Sequence, residues 1–165
     1  MSEAIDTQTL KELAKTLEDG IVPLHELKGI RLEEMEAVYA LAHDYYQTGR
    51  YEDAETLFRF LTMFDHLNEK FWMGYAAVEQ VLKHYDKAVA AYAYVCVVLD
   101  VHNVKAAYYA AECYLAQGDR TNAQSSIDFV KEYADVKTEM GRTFLAKAKN
   151  LQPRVEALSE SKKGG

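Results

Sequence analysis

Between Pro23 and Pro153 the chain has no proline, and its apolar residues recur every third or fourth position. That period collects them on one face of a helix, and the lack of a breaker lets helices run. Polar or glycine-bearing interruptions fall at Thr48–Arg50, Asp65–Asn68, Leu82–His84, Val101–Asn103, Gln117–Asp119 and near Ala134–Asp135. They predict helices over 32–48, 51–65, 69–82, 85–100, 104–117 and 120–133, which group into three antiparallel pairs.

The pairs share a register. Small residues recur as Ala42, Ala76 and Ala111 in the first helices and as Ala54, Ala88 and Ala123 in the second. A large residue follows the second set four positions on, at Phe58, Tyr92 and Ile127. Alanines let two helix backbones approach, and the bulky residue fills the space where the next pair stacks. Three positions after the first set stand Tyr45, Glu79 and Tyr114, with Glu79 out of pattern. Gly49 and Gly118 suit a left-handed turn between helices, a conformation strained at the equivalent Lys83. The alanines of the second set are spaced by 34 and then 35 residues. Two helices in a period of that length define the tetratricopeptide repeat.

The expected fold is therefore all-α, with three such repeats over 32–135 forming a short right-handed α-solenoid. Residues 1–31 form an N-terminal helical region. There Thr9 and Glu12 make a capping box, Gly20 ends the helix, and Leu10, Leu13, Ala14 and Leu17 share a face that must pack on something. Residues 136–151 form a capping helix whose stripe is Val136, Met140, Phe144, Ala148 and Leu151. Pro153 should end it, leaving 152–165 as a flexible tail.

First helices line the concave side of such a solenoid. With the alanines turned to their partners, helical spacing directs Tyr39, His43 and Tyr46 of the first unit into the hollow. The second unit adds Lys70, Met73, Ala77 and Gln80, and the third adds Lys105, Tyr108, Glu112 and Leu115. Aromatic and aliphatic groups with a few polar atoms make a trough for a short extended apolar peptide. Tyr45, Tyr75, Tyr92, Tyr114 and Trp72 read instead as core.

Charge and chemistry narrow the picture. The net charge is −7, which disfavours nucleic acid and anionic lipid as partners. The longest apolar run, "AVAAYAYVCVVL", has 12 residues, short of the ~20 that span a bilayer. The first residues lack the pattern of a signal peptide. Cys96 and Cys113 stand alone, outside any metal-ligand spacing, and suit a reducing cytoplasm. The five histidines, His25, His43, His66, His84 and His102, are scattered, with no paired ligand, so no metal or cofactor is expected. Glu33, Glu34 and Glu36 complement a helix N-terminus rather than forming an acid–base pair. No constellation supports an enzyme.

The stretch "GRYEDAETLFRFLTMFDHLNEKFWMGYAAVEQVLKHYDKAVAAY", with "AAECYLAQGD" after it and a lead-in of the form "L..LKGI" at 24–30, resembles the tetratricopeptide-type chaperones of bacterial type III secretion. The resemblance spans roughly residues 10–135 and includes loop residues such as "FDH" that packing does not require. It implies a cytoplasmic bacterial chaperone that keeps two hydrophobic translocator proteins soluble and apart before export. It also implies that the concave groove clasps an N-terminal client segment, through Tyr39, His43, Tyr46 and Tyr108, and that the N-terminal region supports a homodimer. Leu10, Leu13 and Leu17 are the candidate contacts, although the same stripe could tuck against the first repeat. A second reading is a general adaptor for another protein's peptide or C-terminus. The positions of a carboxylate clamp hold Tyr39, His43, Gly74, Lys105 and Tyr109, of which only Lys105 suits the task.

Overall fold

A computed structural model describes residues 23–161. A short helix α1 (Leu24–Leu27) leads into α2 (Leu32–Gln47) and α3 (Tyr51–Phe64), then α4 (Glu69–Val81) and α5 (Tyr85–Tyr94). The α5 backbone continues as a π-helical turn, Val95–Leu99, and is followed by α6 (Val104–Ala116), α7 (Arg120–Tyr133) and α8 (Glu139–Ser161). The pairs α2–α3, α4–α5 and α6–α7 pack internally, and each pair packs on the next. The chain is an all-α stack of tetratricopeptide hairpins, and the described residues contain no strand. The stripe of Leu10, Leu13 and Leu17 lies outside the described residues.

One turn closes the first helix of every repeat. After α2, the Arg50 N–H donates to the Tyr45 carbonyl and the Gly49 N–H to that of Tyr46. The same two bonds join His84 to Glu79 and Lys83 to Gln80 after α4, and Asp119 to Tyr114 and Gly118 to Leu115 after α6. This Schellman arrangement needs a left-handed residue at its centre. Gly49, Lys83 and Gly118 supply it with φ of 80°, 64° and 73°. Side-chain caps start the third pair: Asn103 Oδ1 accepts from the Ala106 N–H, and Asp119 Oδ1 from the Asn122 N–H.

The small-residue columns form the core. Ala42, Ala76, Ala111, Ala54, Ala88 and Ala123 are all fully buried, as are Phe58, Tyr92 and Ile127 to within 2%. Glu79, out of pattern by sequence, is buried as completely as the alanines. Its carboxylate lies 2.7 Å from His84 Nδ1 and 3.5 Å from Lys87 Nζ, with the Tyr75 hydroxyl nearby. Basic and hydroxyl neighbours thus offset the burial of a carboxylate in a column made for an aromatic ring.

The C-terminal helix departs from expectation in two ways. The helix runs through Pro153 to Ser161 rather than giving way to a flexible tail at 152. Leu151 and Val155 lie in the core cluster on either side of the proline, and their burial holds the helix although Pro153 lacks an N–H. The stripe also begins later. Phe144, Ala148, Leu151 and Val155 are buried against α6 and α7, whereas Val136 and Met140 are exposed. Val136 belongs to the turn before α8, and Met140 sits in the first turn of the helix, ahead of its packed face.

Candidate functional site

A cavity of about 920 Å³ opens on the face built by α2, α4 and α6. From α2 it is lined by Tyr39, His43 and Tyr46, and from α4 by Lys70, Met73, Ala77 and Gln80. From α6 it receives Lys105 and Glu112. The structure brings all nine together, as helical spacing and the repeat register require.

Tyr108 and Leu115 are corrections. Both are buried and neither reaches the cavity. The Tyr108 ring packs at 5.6 Å from Phe144 of α8, and Leu115 joins the same cluster. The register that puts them level with Tyr39 and Tyr46 is sound, but α8 lies over that face of α6 and closes it. Tyr109, one position on, lines the cavity instead, together with Ala116. Further lining residues escaped the sequence reading, among them Asn68, Glu69, Val81 and Tyr85. Phe58 and Tyr92 reach the cavity floor from the second helices, and Gly74 leaves room there. A Cβ on Gly74 would collide with the Phe58 ring. Two adjacent tyrosines, Tyr108 and Tyr109, were the available signal that the phase of the third helix had an alternative.

Aromatic rings form a large part of the wall. Tyr39 stands edge-on to Phe58 at 5.9 Å and tilts against Phe71 at 5.8 Å, and Tyr46 stands edge-on to Tyr51 at 5.6 Å. Such contacts hold the rings in place before any guest arrives. Lys70 bonds to both Glu36 oxygens at 2.6 and 2.7 Å and lies 4.3 Å above the Tyr39 ring, which flattens its alkyl chain along the wall. Burial pushes the hydroxyl pKa of Tyr46 upward, with Tyr51 adding to it. Burial likewise raises those of Tyr92 and Tyr108, so these groups act as neutral hydrogen-bond donors.

Reactive chemistry is weak in this setting. Burial pushes the Cys96 thiol up to about 11 and the Cys113 thiol up to about 12, which disfavours the nucleophilic thiolate. Among the described residues no three His, Cys, Asp or Glu side chains gather as metal ligands, and no helix is long and apolar enough to cross a membrane. The site is suited to holding an extended apolar segment.

Relatives agree with this geometry. The tetratricopeptide repeat family profile matches residues 35–68 and 70–100. The low calcium response locus protein H of Yersinia pestis is 31% identical over 159 residues, 96% of this chain and 89% of its own length. The Yersinia enterocolitica type III secretion translocator chaperone SycD superposes with a TM-score of 0.73 at 30% identity, over 81% of this chain and 99% of SycD. The same chaperone in complex with a peptide of the translocator YopD gives a TM-score of 0.69 at 32% identity, over 81% and 98% of the two chains. With repeat register, groove and near full-length similarity in agreement, the chain belongs to the type III secretion translocator chaperone family.

Proposed function

We propose that this protein is a bacterial cytoplasmic chaperone that holds hydrophobic type III secretion translocators by an N-terminal client segment in its concave groove. It keeps two such clients soluble and apart until export. The observation that carries this reading is the open aromatic trough of about 920 Å³ on the first helices. A membrane-inserting client exposes apolar surface that aggregates in water, and a groove of fixed rings covers part of it without a large ordering penalty. The net charge of −7 keeps the loaded complex dispersed. The role is binding, not catalysis, and release comes through competition by the export machinery. Leu10, Leu13 and Leu17 are assigned to a homodimer contact.

The test is a calorimetric titration with a peptide spanning the N-terminal segment of its translocator. Tyr46→Ala should weaken binding by ~1–3 kcal/mol, the range of a buried aromatic anchor. Unchanged affinity would remove Tyr46 from the groove contact.

A further inference from the structure

The groove carries charged groups among its rings: Glu69, Lys70, Lys105 and Glu112 all line it. Glu112, on α6, lines the cavity and is held by two neutral donors. Gln80 Nε2 donates to Oε2 at 3.2 Å, and the Tyr108 hydroxyl donates to Oε1 at 2.8 Å. Gln80 is oriented in turn by the Tyr92 hydroxyl, which donates to its Oε1 at 2.9 Å. The chain Tyr92–Gln80–Glu112–Tyr108 therefore ties three helices together and fixes the carboxylate at the groove wall.

No cation pairs with it. Among the described residues, no lysine, arginine or histidine lies within ion-pair distance of Glu112. Lys147 sits above the rings of Tyr108, Tyr109 and Phe144, and Lys70 is taken by Glu36. A carboxylate offers about four acceptor sites, and Gln80 and Tyr108 fill two of them. The remainder are available to solvent in the open groove. A guest laid over Glu112 shuts that solvent out, and a carboxylate desolvated without a partner is strongly unfavourable. A guest acid at that point adds like-charge repulsion.

We propose that Glu112 determines specificity in the groove: it selects a lysine or arginine of the client segment at a defined spacing from the apolar anchors. This rests on the groove-binding reading above. The apolar rings supply the grip, and Glu112 decides which apolar segments are accepted. A purely structural Glu112, present only to position Tyr108 and Gln80, would show no coupling to a charge on the guest.

The probe is a randomised peptide library displayed on phage and selected on the full chain. The enriched sequences should share apolar anchors and one Lys or Arg at fixed spacing. Replacing that residue with norleucine in a synthetic copy should weaken binding to the wild type about tenfold or more. Replacing it with glutamate should weaken it further. Against Glu112→Gln, which keeps an acceptor for the Tyr108 hydroxyl, the norleucine and lysine peptides should bind within about twofold of each other. The glutamate comparison needs only the wild type, so it stands even if the variant folds poorly. Enriched sequences with apolar anchors but no basic position would overturn the proposal while leaving the groove reading intact. So would an equal norleucine loss on both proteins. A selected pool that binds Tyr46→Ala as well as the wild type would overturn the groove reading, and this proposal with it.

Discussion

Lys83 shows how one residue carries a local cost within a sound repeat. It occupies the left-handed centre of the same turn that Gly49 and Gly118 serve, with φ of 64°. A side chain there crowds its own backbone, a penalty of about 1–2 kcal/mol that glycine avoids, while glycine gives back part of the gain through a looser unfolded chain. Lys83→Gly should therefore raise the unfolding free energy by ~0.5–1 kcal/mol, read as a higher urea midpoint at unchanged slope. A lower midpoint would mean that the Lys83 side chain makes a compensating contact. Alignment with the two glycines makes this strain legible in the sequence. The solution at Glu79 was not legible: an acid in an aromatic column reads as a defect until His84, Lys87 and Tyr75 are seen around it. Those partners come from the same pair of helices, but only folding brings them within reach.

At the scale of elements, α8 does what no repeat column announces. It lies on α6 and α7 as the first helix of a further unit would, with Phe144 against Tyr108 much as Phe71 lies against Tyr39. That packing removes Tyr108 and Leu115 from the groove and leaves Tyr109 to line it. Its last turns matter despite Pro153, because Val155 is fully buried. Val155→Ala should lower stability by ~1–3 kcal/mol, measured by urea unfolding. An effect near zero would restore the frayed tail that the proline alone implied. Helix limits were accurate along most of the chain because repeated caps and turns mark them. The exceptions are α8, which runs over Glu139–Ser161 in place of 136–151, and the end of α5, where a continuous apolar run hides a switch to π-helical turns at Val95–Leu99.

For the whole molecule, assembly is the property to measure. Residues 1–22 precede the described chain, and their stripe of Leu10, Leu13 and Leu17 is proposed as a homodimer contact. Leu13→Glu should shift the mass found by light scattering from dimer to monomer, since a buried unpaired carboxylate opposes association. A dimer that survives this change would move the interface elsewhere and leave the stripe to pack on its own first repeat. The curvature of the stack is also a whole-molecule property. Its hollow exists because α2, α4 and α6 stand side by side, each offering a few side chains that alone make no site.

The amino-acid pattern by itself determined the helices, their pairing, the three-fold register, and nine of the groove residues. These follow from periodicity, which acts over a few turns and repeats along the chain. Tertiary structure alone decided where the groove ends, which of two adjacent tyrosines enters it, and how a buried carboxylate is compensated. Each of these depends on a helix or side chain distant in sequence, and no local period encodes which surface such a neighbour will cover.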